Sequence, residues 1–311
     1  MWARRILIAL VILAVLGGGA YYWFFVQNGS PSGAYTIDIA EVRQLADSMP
    51  GDKAREIRAE DVAPFSFKRA IVVAGDGWDS LPMGVFAYRI VFDQSTIIVD
   101  TGVSPRGAQD MGAQIDMDAY RRVISALKFA SIIVVTHEHA DHIGGLLSSP
   151  WLELELARTK LNAEQLANLD RYNPSYRKEG FATYKPITYG KYLALAPGVV
   201  LIRAPGHTPG SQMVYVKLAN GQEYLFTGDV AWTMRNIDLL RERPRATAMF
   251  LGEDRDAVMS ELAALSALRT AELHIHIVPG HDLDAVTALE KQGLLKAKFS
   301  DAQVDYMIPT R

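Results

Sequence analysis

His137-Glu138-His139-Ala140-Asp141-His142 follows directly on the apolar run Ile132-Ile133-Val134-Val135. Three imidazoles and the Asp141 carboxylate fall within six residues, at what reads as the end of a buried strand. His137 and His139 are two apart, so in extended backbone both point the same way and can reach one ion. Asp141 and His142 lie just beyond, where a turn can aim them at a second ion. Gly144-Gly145 then lets the backbone pass close by. Clustering three imidazoles and a carboxylate has no cheap structural use, whereas metal binding needs these groups at this spacing.

The chain contains no cysteine. That excludes disulfides, thiolate ligands and a cysteine nucleophile, and leaves His, Asp and Glu to build any metal site. There are seven histidines. His207 sits in Ala204-Pro205-Gly206-His207-Thr208-Pro209-Gly210, Asp229 in Thr227-Gly228-Asp229, and His281 in Pro279-Gly280-His281-Asp282. Each follows a strand-like run and a glycine. Alone, such a histidine is more often a core or surface hydrogen-bonding group, and such an aspartate a turn residue. Beside the central cluster the three become expected ligands. His274 and His276 alternate with Leu273, Ile275 and Ile277 and share one strand face. They read as structural hydrogen-bonding groups, the alternative being a further metal pair.

The chain has 311 residues, 49% hydrophobic and 22% charged, with a formal charge of −3. That composition supports a sizeable core, and the charge lacks the basic footprint of a nucleic-acid binder, so none is expected as a partner. Ile6 to Val26 carries no charge and follows Arg4-Arg5. As a helix it reaches about 30 Å, enough to cross a bilayer core. The arginines favour a cytoplasmic N-terminus, which puts the remainder on the non-cytoplasmic side, with Tyr21, Tyr22 and Trp23 at the far interface. The rival is a signal peptide cleaved near Gly18-Gly19-Ala20, giving an exported soluble form. The expected division is an anchor or signal segment over 1–26, a linker and lead-in over 27–64 that starts with the polar stretch 27–34, and one domain over 65–311.

Within that domain, strands are expected at Ala70–Ala74, Val85–Phe92, Thr96–Asp100, Ser131–Thr136, Val199–Ala204, Met213–Leu218, Tyr224–Thr227 and Leu273–Val278. Helices are expected at Ile115–Lys128, from the Asn162/Gln165 capping box to Leu169, at Arg255–Leu268 and near Ala285–Leu295. Strands in runs with helices between some of them allow a layered α+β sandwich.

These motifs, in order and spacing, resemble the metallo-β-lactamase superfamily over roughly residues 65–285. The resemblance implies a four-layer αββα sandwich, here preceded by the N-terminal transmembrane helix, with metals at one edge between the sheets. It implies that His137, His139 and His207 hold one metal, that Asp141, His142 and His281 hold a second, and that Asp229 bridges them. Asp100, in Ile98-Val99-Asp100-Thr101-Gly102, matches an early family Asp that supports the ligands from behind. His and carboxylate donors suit two Zn²⁺ per chain, with Mn or Fe as alternatives. A bridging water, its pKa lowered from 15.7 toward ~7, gives the hydroxide that is the expected nucleophile. Asp141 is expected to orient it and shuttle its proton.

Substrate class is narrowed by departures from family branches. β-Lactamases of the superfamily lack an aspartate at the position of Asp229. Only 30 residues follow His281, too few for the glutathione-binding domain of glyoxalase-II-type thioesterases, and flavodiiron proteins carry a flavodoxin domain. Quorum-quenching lactonases look closest in plan, though they carry Tyr where this chain has Trp232. The expected activity is hydrolysis of a lactone or carboxylic ester, catalysed through Asp141 and Asp229, on a small-molecule substrate of apolar character. The alternatives are a mononuclear non-haem iron dioxygenase acting on persulfides and a phosphodiesterase. Trp78, Tyr172, Trp232 and Arg235 are expected substrate contacts.

Overall fold

In a computed structural model of the chain, which describes residues 2–31 and 35–299, the apolar run before the histidines forms strand Ile132–Val134 at the edge of a five-stranded sheet. From the other edge that sheet runs Lys296–Ala297, Glu56–Asp61, Phe86–Val91, Thr96–Val99 and Ile132–Val134. A second five-stranded sheet runs Ile275–Pro279, Glu223–Gly228, Gln212–Lys217, Val199–Arg203 and Tyr192–Ala196.

Both faces of both sheets are covered, which is why their strands read as continuous apolar runs rather than alternations. Tyr88, Ile90, Ile97, Val99 and Val134 face inward and meet Val199, Leu201, Val214, Val216, Tyr224 and Phe226 of the second sheet. The intervening residues Ala87, Ile98 and Ile133 face outward, under helices Met117–Phe129, Ala140–Ser148 and Ala163–Tyr172. On the far side Val200, Ile202, Met213 and Tyr215 pack under helices Ile39–Ala46 and Arg255–Ala271. The result is helix, sheet, sheet, helix.

Most expected elements are present, and the Asn162/Gln165 capping box is complete. Three readings need correction. Ala70–Ala74 is not a strand: Arg69–Val72 forms one helical turn, pinned by the bonds from Arg69 N to Asp79 O and from Ala70 N to Gly77 O. Short apolar runs do not distinguish the two states. Residues 27–29 are not free linker either. Asn28 Nδ2 donates to Leu240 O, and Gly29 N donates to Glu242 Oε1; residues 32–34 lie outside the described residues. The lead-in contains structure of its own. Glu56–Asp61 is an internal strand of the first sheet, and Ile39–Ala46, capped by Asp38, buries Val42 and Ala46 against the second.

Helix Trp2–Tyr21 continues through a wide turn over Tyr22–Val26. It is long and apolar enough to cross a membrane, as a signal sequence also is, and none of that stretch is buried against the protein.

Candidate metal centre

Strand ends deliver the ligands to one edge of the sandwich. His137 and His139 follow strand Ile132–Val134, and His139 is the last residue before helix Ala140–Ser148, whose first turn carries Asp141 and His142. Asp229 ends strand Glu223–Gly228, and His281 follows the parallel neighbour Ile275–Pro279. His207 follows Val199–Arg203. Two of the glycines before ligands have distinct reasons. Gly228 adopts φ +50°, a left-handed conformation. A Cβ on Gly280 would collide with Asp229 Oδ1.

The structure brings all seven expected ligands together, in two groups. His137, His139, His207 and Asp229 form one; Asp141, His142 and His281 form the other. His139 Nδ1 lies 3.1 Å from His137 Nε2 and 2.9 Å from His207 Nε2. Asp229 spans the groups. Its Oδ2 lies 3.4 Å from His207 Nε2, and its Oδ1 lies 3.3 Å from both His142 Nε2 and His281 Nε2. Asp141 Oδ2 is 3.5 Å from His281 Nε2.

The outward ring nitrogens are already committed. His207 Nδ1 bonds Glu253 Oε1 at 2.6 Å, His142 Nδ1 bonds Asp100 Oδ2 at 2.9 Å, and His281 Nδ1 bonds Gly84 O at 2.8 Å. These acceptors hold the proton on Nδ1 and turn the Nε2 lone pairs inward, the arrangement metal-binding histidines adopt. Asp100 also accepts from Thr136 N at 2.6 Å. It holds a left-handed φ of 58°, which aspartate tolerates better than most residues.

This donor set fits divalent metal. His142 Nε2 and Asp229 Oδ1 are buried, face one another at 3.3 Å and make no hydrogen bond among the described residues, a costly arrangement unless a cation sits between the groups. Burial pushes His139 down to about 3, with His207 beside it adding to the effect, so the imidazole is neutral and able to ligate. Burial alone would raise Asp229, but His281, His142 and His137 outweigh it and hold the carboxyl well below its usual range. Burial opposes a charge on His142 too, yet Asp229, Asp100 and Asp141 together hold it well above its ordinary value. The carboxylates around the second group therefore favour positive charge, which a cation can supply in place of the ring proton.

A cavity of about 700 Å³ opens onto these ligands. His139, Asp141, Asp229 and His281 line its floor, and Phe25, Phe65, Phe67, Ile71, Phe250 and Leu251 line its walls. Tyr172 and Trp232 also line it. The Tyr172 ring lies 4.4 Å from that of His139, and its buried hydroxyl has no hydrogen-bond partner among the described residues. Trp232 Nε1 donates to Asp229 Oδ2 at 2.6 Å. The other two expected substrate contacts lie elsewhere. Arg235 is bound to Asp76 at 2.8 Å, and Trp78 packs on Tyr21 and Phe25. Neither lines the cavity. His274 and His276 are also remote from the ligands. His274 is exposed beside Arg43 and Glu272, and His276 packs on Tyr224.

Two residues of the site have no signal in the sequence. Glu253 Oε1 takes His207 Nδ1 and, at 2.6 Å, accepts from the Nε of the fully buried Arg243. The His207 contact joins segments 46 residues apart and the Arg243 contact segments ten apart. Glu253→Gln should weaken zinc affinity about 10–100-fold, the usual cost of disturbing a residue behind a ligand. Competition with a chelating dye measures it. Unchanged affinity would remove Glu253 from the metal's support.

Residues 81–148 match the sequence profile of the metallo-β-lactamase superfamily. An N-acyl homoserine lactonase of a Bacillus species is 27% identical over 227 residues, covering 66% of this chain and 83% of that one. A probable metallo-hydrolase of Mycobacterium tuberculosis is 27% identical over 230 residues, covering 62% and 72%. Among solved structures, an N-acyl homoserine lactone hydrolase with N-hexanoyl-L-homoserine at its catalytic metal centre aligns with TM-score 0.57 and 18% identity, covering 76% of this chain and 96% of that one. A Bacillus thuringiensis AiiA variant with N-decanoyl-L-homoserine at its active site gives the same values. The chain has the metallo-β-lactamase fold, and it is similar to the lactonase-like proteins that share it.

Proposed function

We propose that this chain is a metal-dependent hydrolase that holds two zinc ions and cleaves a lactone or carboxylic ester, anchored by helix Trp2–Tyr21 with its catalytic domain on the non-cytoplasmic side. The observation that carries the reading is the double ligand group sharing Asp229 at the foot of a mainly apolar cavity. Likeness to N-acyl homoserine lactonases supports the lactone.

His137, His139 and His207 would hold one ion, Asp141, His142 and His281 the other, with Asp229 between them. Bound there, the ions would polarise a substrate carbonyl and bring a water's pKa near 7. The protein's own groups do the rest. Asp141, half-open to the cavity, takes a proton on its free carboxylate oxygen and returns it to the leaving oxygen. The unpartnered Tyr172 hydroxyl donates to the substrate carbonyl, and the phenylalanine walls exclude water from the acyl chain. Trp232 fixes Asp229, so its indole N–H is already spent.

The test is turnover of N-acyl homoserine lactones, followed by acid release, alongside oxygen uptake with a persulfide and hydrolysis of a phosphodiester. Lactone opening without oxygen uptake supports the reading; persulfide-dependent oxygen uptake with inert lactones overturns it. Tyr172→Phe should lower kcat/KM roughly ten- to a hundredfold, the scale of a hydrogen bond of ~1.5–3 kcal/mol to a charged group. An unchanged value would take Tyr172 out of the reaction.

A further inference from the structure

We propose that the mouth of the metal cavity lies in the membrane interface and admits the acyl chain of a bilayer-dissolved lactone or ester directly from the lipid. The reacting bond rests on the hydrolase reading above; the route rests on three other features of the chain.

The first is the bare helix. Trp2–Tyr21 buries no residue against the rest of the protein, so a lipid core is what suits its apolar surface on every side.

The second is where that helix ends. Trp78 Nε1 donates to Tyr21 Oη at 3.0 Å, and Gly75 N donates to Phe25 O at 2.7 Å. The Arg245 guanidinium lies 4.0 Å from the centre of the Trp23 ring. Phe25 itself lines the cavity. Aromatic residues at the end of a membrane helix sit at headgroup level. Whatever touches Tyr21 to Phe25 is therefore held at that level, and the cavity wall is among the things it touches.

The third is the rim beside this junction. Phe250 is 90% exposed, Met249 65% and Trp78 49%. Met249 and Phe250 belong to the short helix Arg245–Leu251, which starts at the Arg245 that covers Trp23. A grouped apolar rim of this kind marks an interaction surface, and its fixed attachment to a membrane helix selects the bilayer as the occupant. Phe25 from the anchor and Phe250 from the rim line the same cavity, whose floor carries the ligands. An amphiphile entering between them keeps its tail in apolar surroundings while its polar head reaches Asp141 and Asp229.

The absence of cysteine allows single-site labelling. Met249→Cys, Phe250→Cys and Leu273→Cys would each carry an environment-sensitive fluorophore in the full chain, reconstituted in phosphatidylcholine vesicles. Leu273 is 87% exposed and precedes strand Ile275–Pro279, at the end opposite His281. Labels at 249 and 250 should be quenched by a lipid-borne quencher and shielded from aqueous iodide, with the reverse at 273. Iodide access at 249 and 250 equal to that at 273 would overturn the proposal. N-Hexadecanoyl homoserine lactone dispersed in the enzyme's own vesicles should be opened faster than the same amount delivered in separate vesicles, from which it must first cross water. Equal initial rates from the two presentations would overturn lipid entry. Shielded labels together with no turnover of any lactone would sink the hydrolase reading and leave the interfacial seat standing.

Discussion

Asp229→Ala should retain the fold and lose almost all turnover, well beyond the roughly 10–100-fold loss typical of changes behind a ligand. Asp229 faces both ligand groups, with Oδ2 toward His207 and Oδ1 toward His142 and His281. Removing it separates two sites that share one carboxylate, and it leaves His142 and His281 without the counter-charge that raises them. Metal content should fall toward one ion per chain. Asp229→Asn checks the cause. It keeps the size of the side chain and an oxygen for the Trp232 indole, but not the charge, and should fail nearly as badly. Near-normal kcat in Asp229→Asn would mean that the carboxylate positions Trp232 and does not join two metals.

Removing metal should cost stability as well as activity. Without a cation, three imidazole nitrogens face one another within about a hydrogen-bond length, and the buried His142 Nε2 and Asp229 Oδ1 stay unpaired. A ligand present at ~1,000 times its Kd stabilises the folded state by about 4 kcal/mol. In a chain of this size that corresponds to a Tm shift on the order of 10 °C per ion. Chelation should lower Tm by that order, and added zinc should restore it. The expected answer in a thermal melt is a shift that depends on zinc concentration. A melt indifferent to chelator would mean that the fold holds its ligands in place without help from a metal.

The candidate centre was readable because its expected ligands follow strands whose ends meet at one edge. The central motif is local, and His207, Asp229 and His281 repeat one pattern, a ligand after a strand and a glycine. What supports them was hidden by distance along the chain. Glu253 meets His207 across 46 residues, and nothing next to Glu253 announces it. Strand Glu56–Asp61 was hidden differently. Its charged residues read as lead-in, yet Glu60 is buried because Arg122 Nη2 meets it at 2.7 Å, while Ile57 and Ala59 carry the inward face. Trp78 and Arg235 lie in segments close to the site, but each is held by another partner, Trp78 by Tyr21 and Arg235 by Asp76. Proximity along the sequence could not reveal those partners. The place of Phe25 in the cavity wall was equally silent, since no periodicity links Phe25 to Phe250.

The central claim is two metals in one centre. Mass spectrometry of the full chain, purified in detergent without added metal, gives identity and stoichiometry together. Two zinc ions per chain are expected, falling toward one in Asp229→Ala. A single iron per chain would contradict the account and withdraw the bridging role of Asp229.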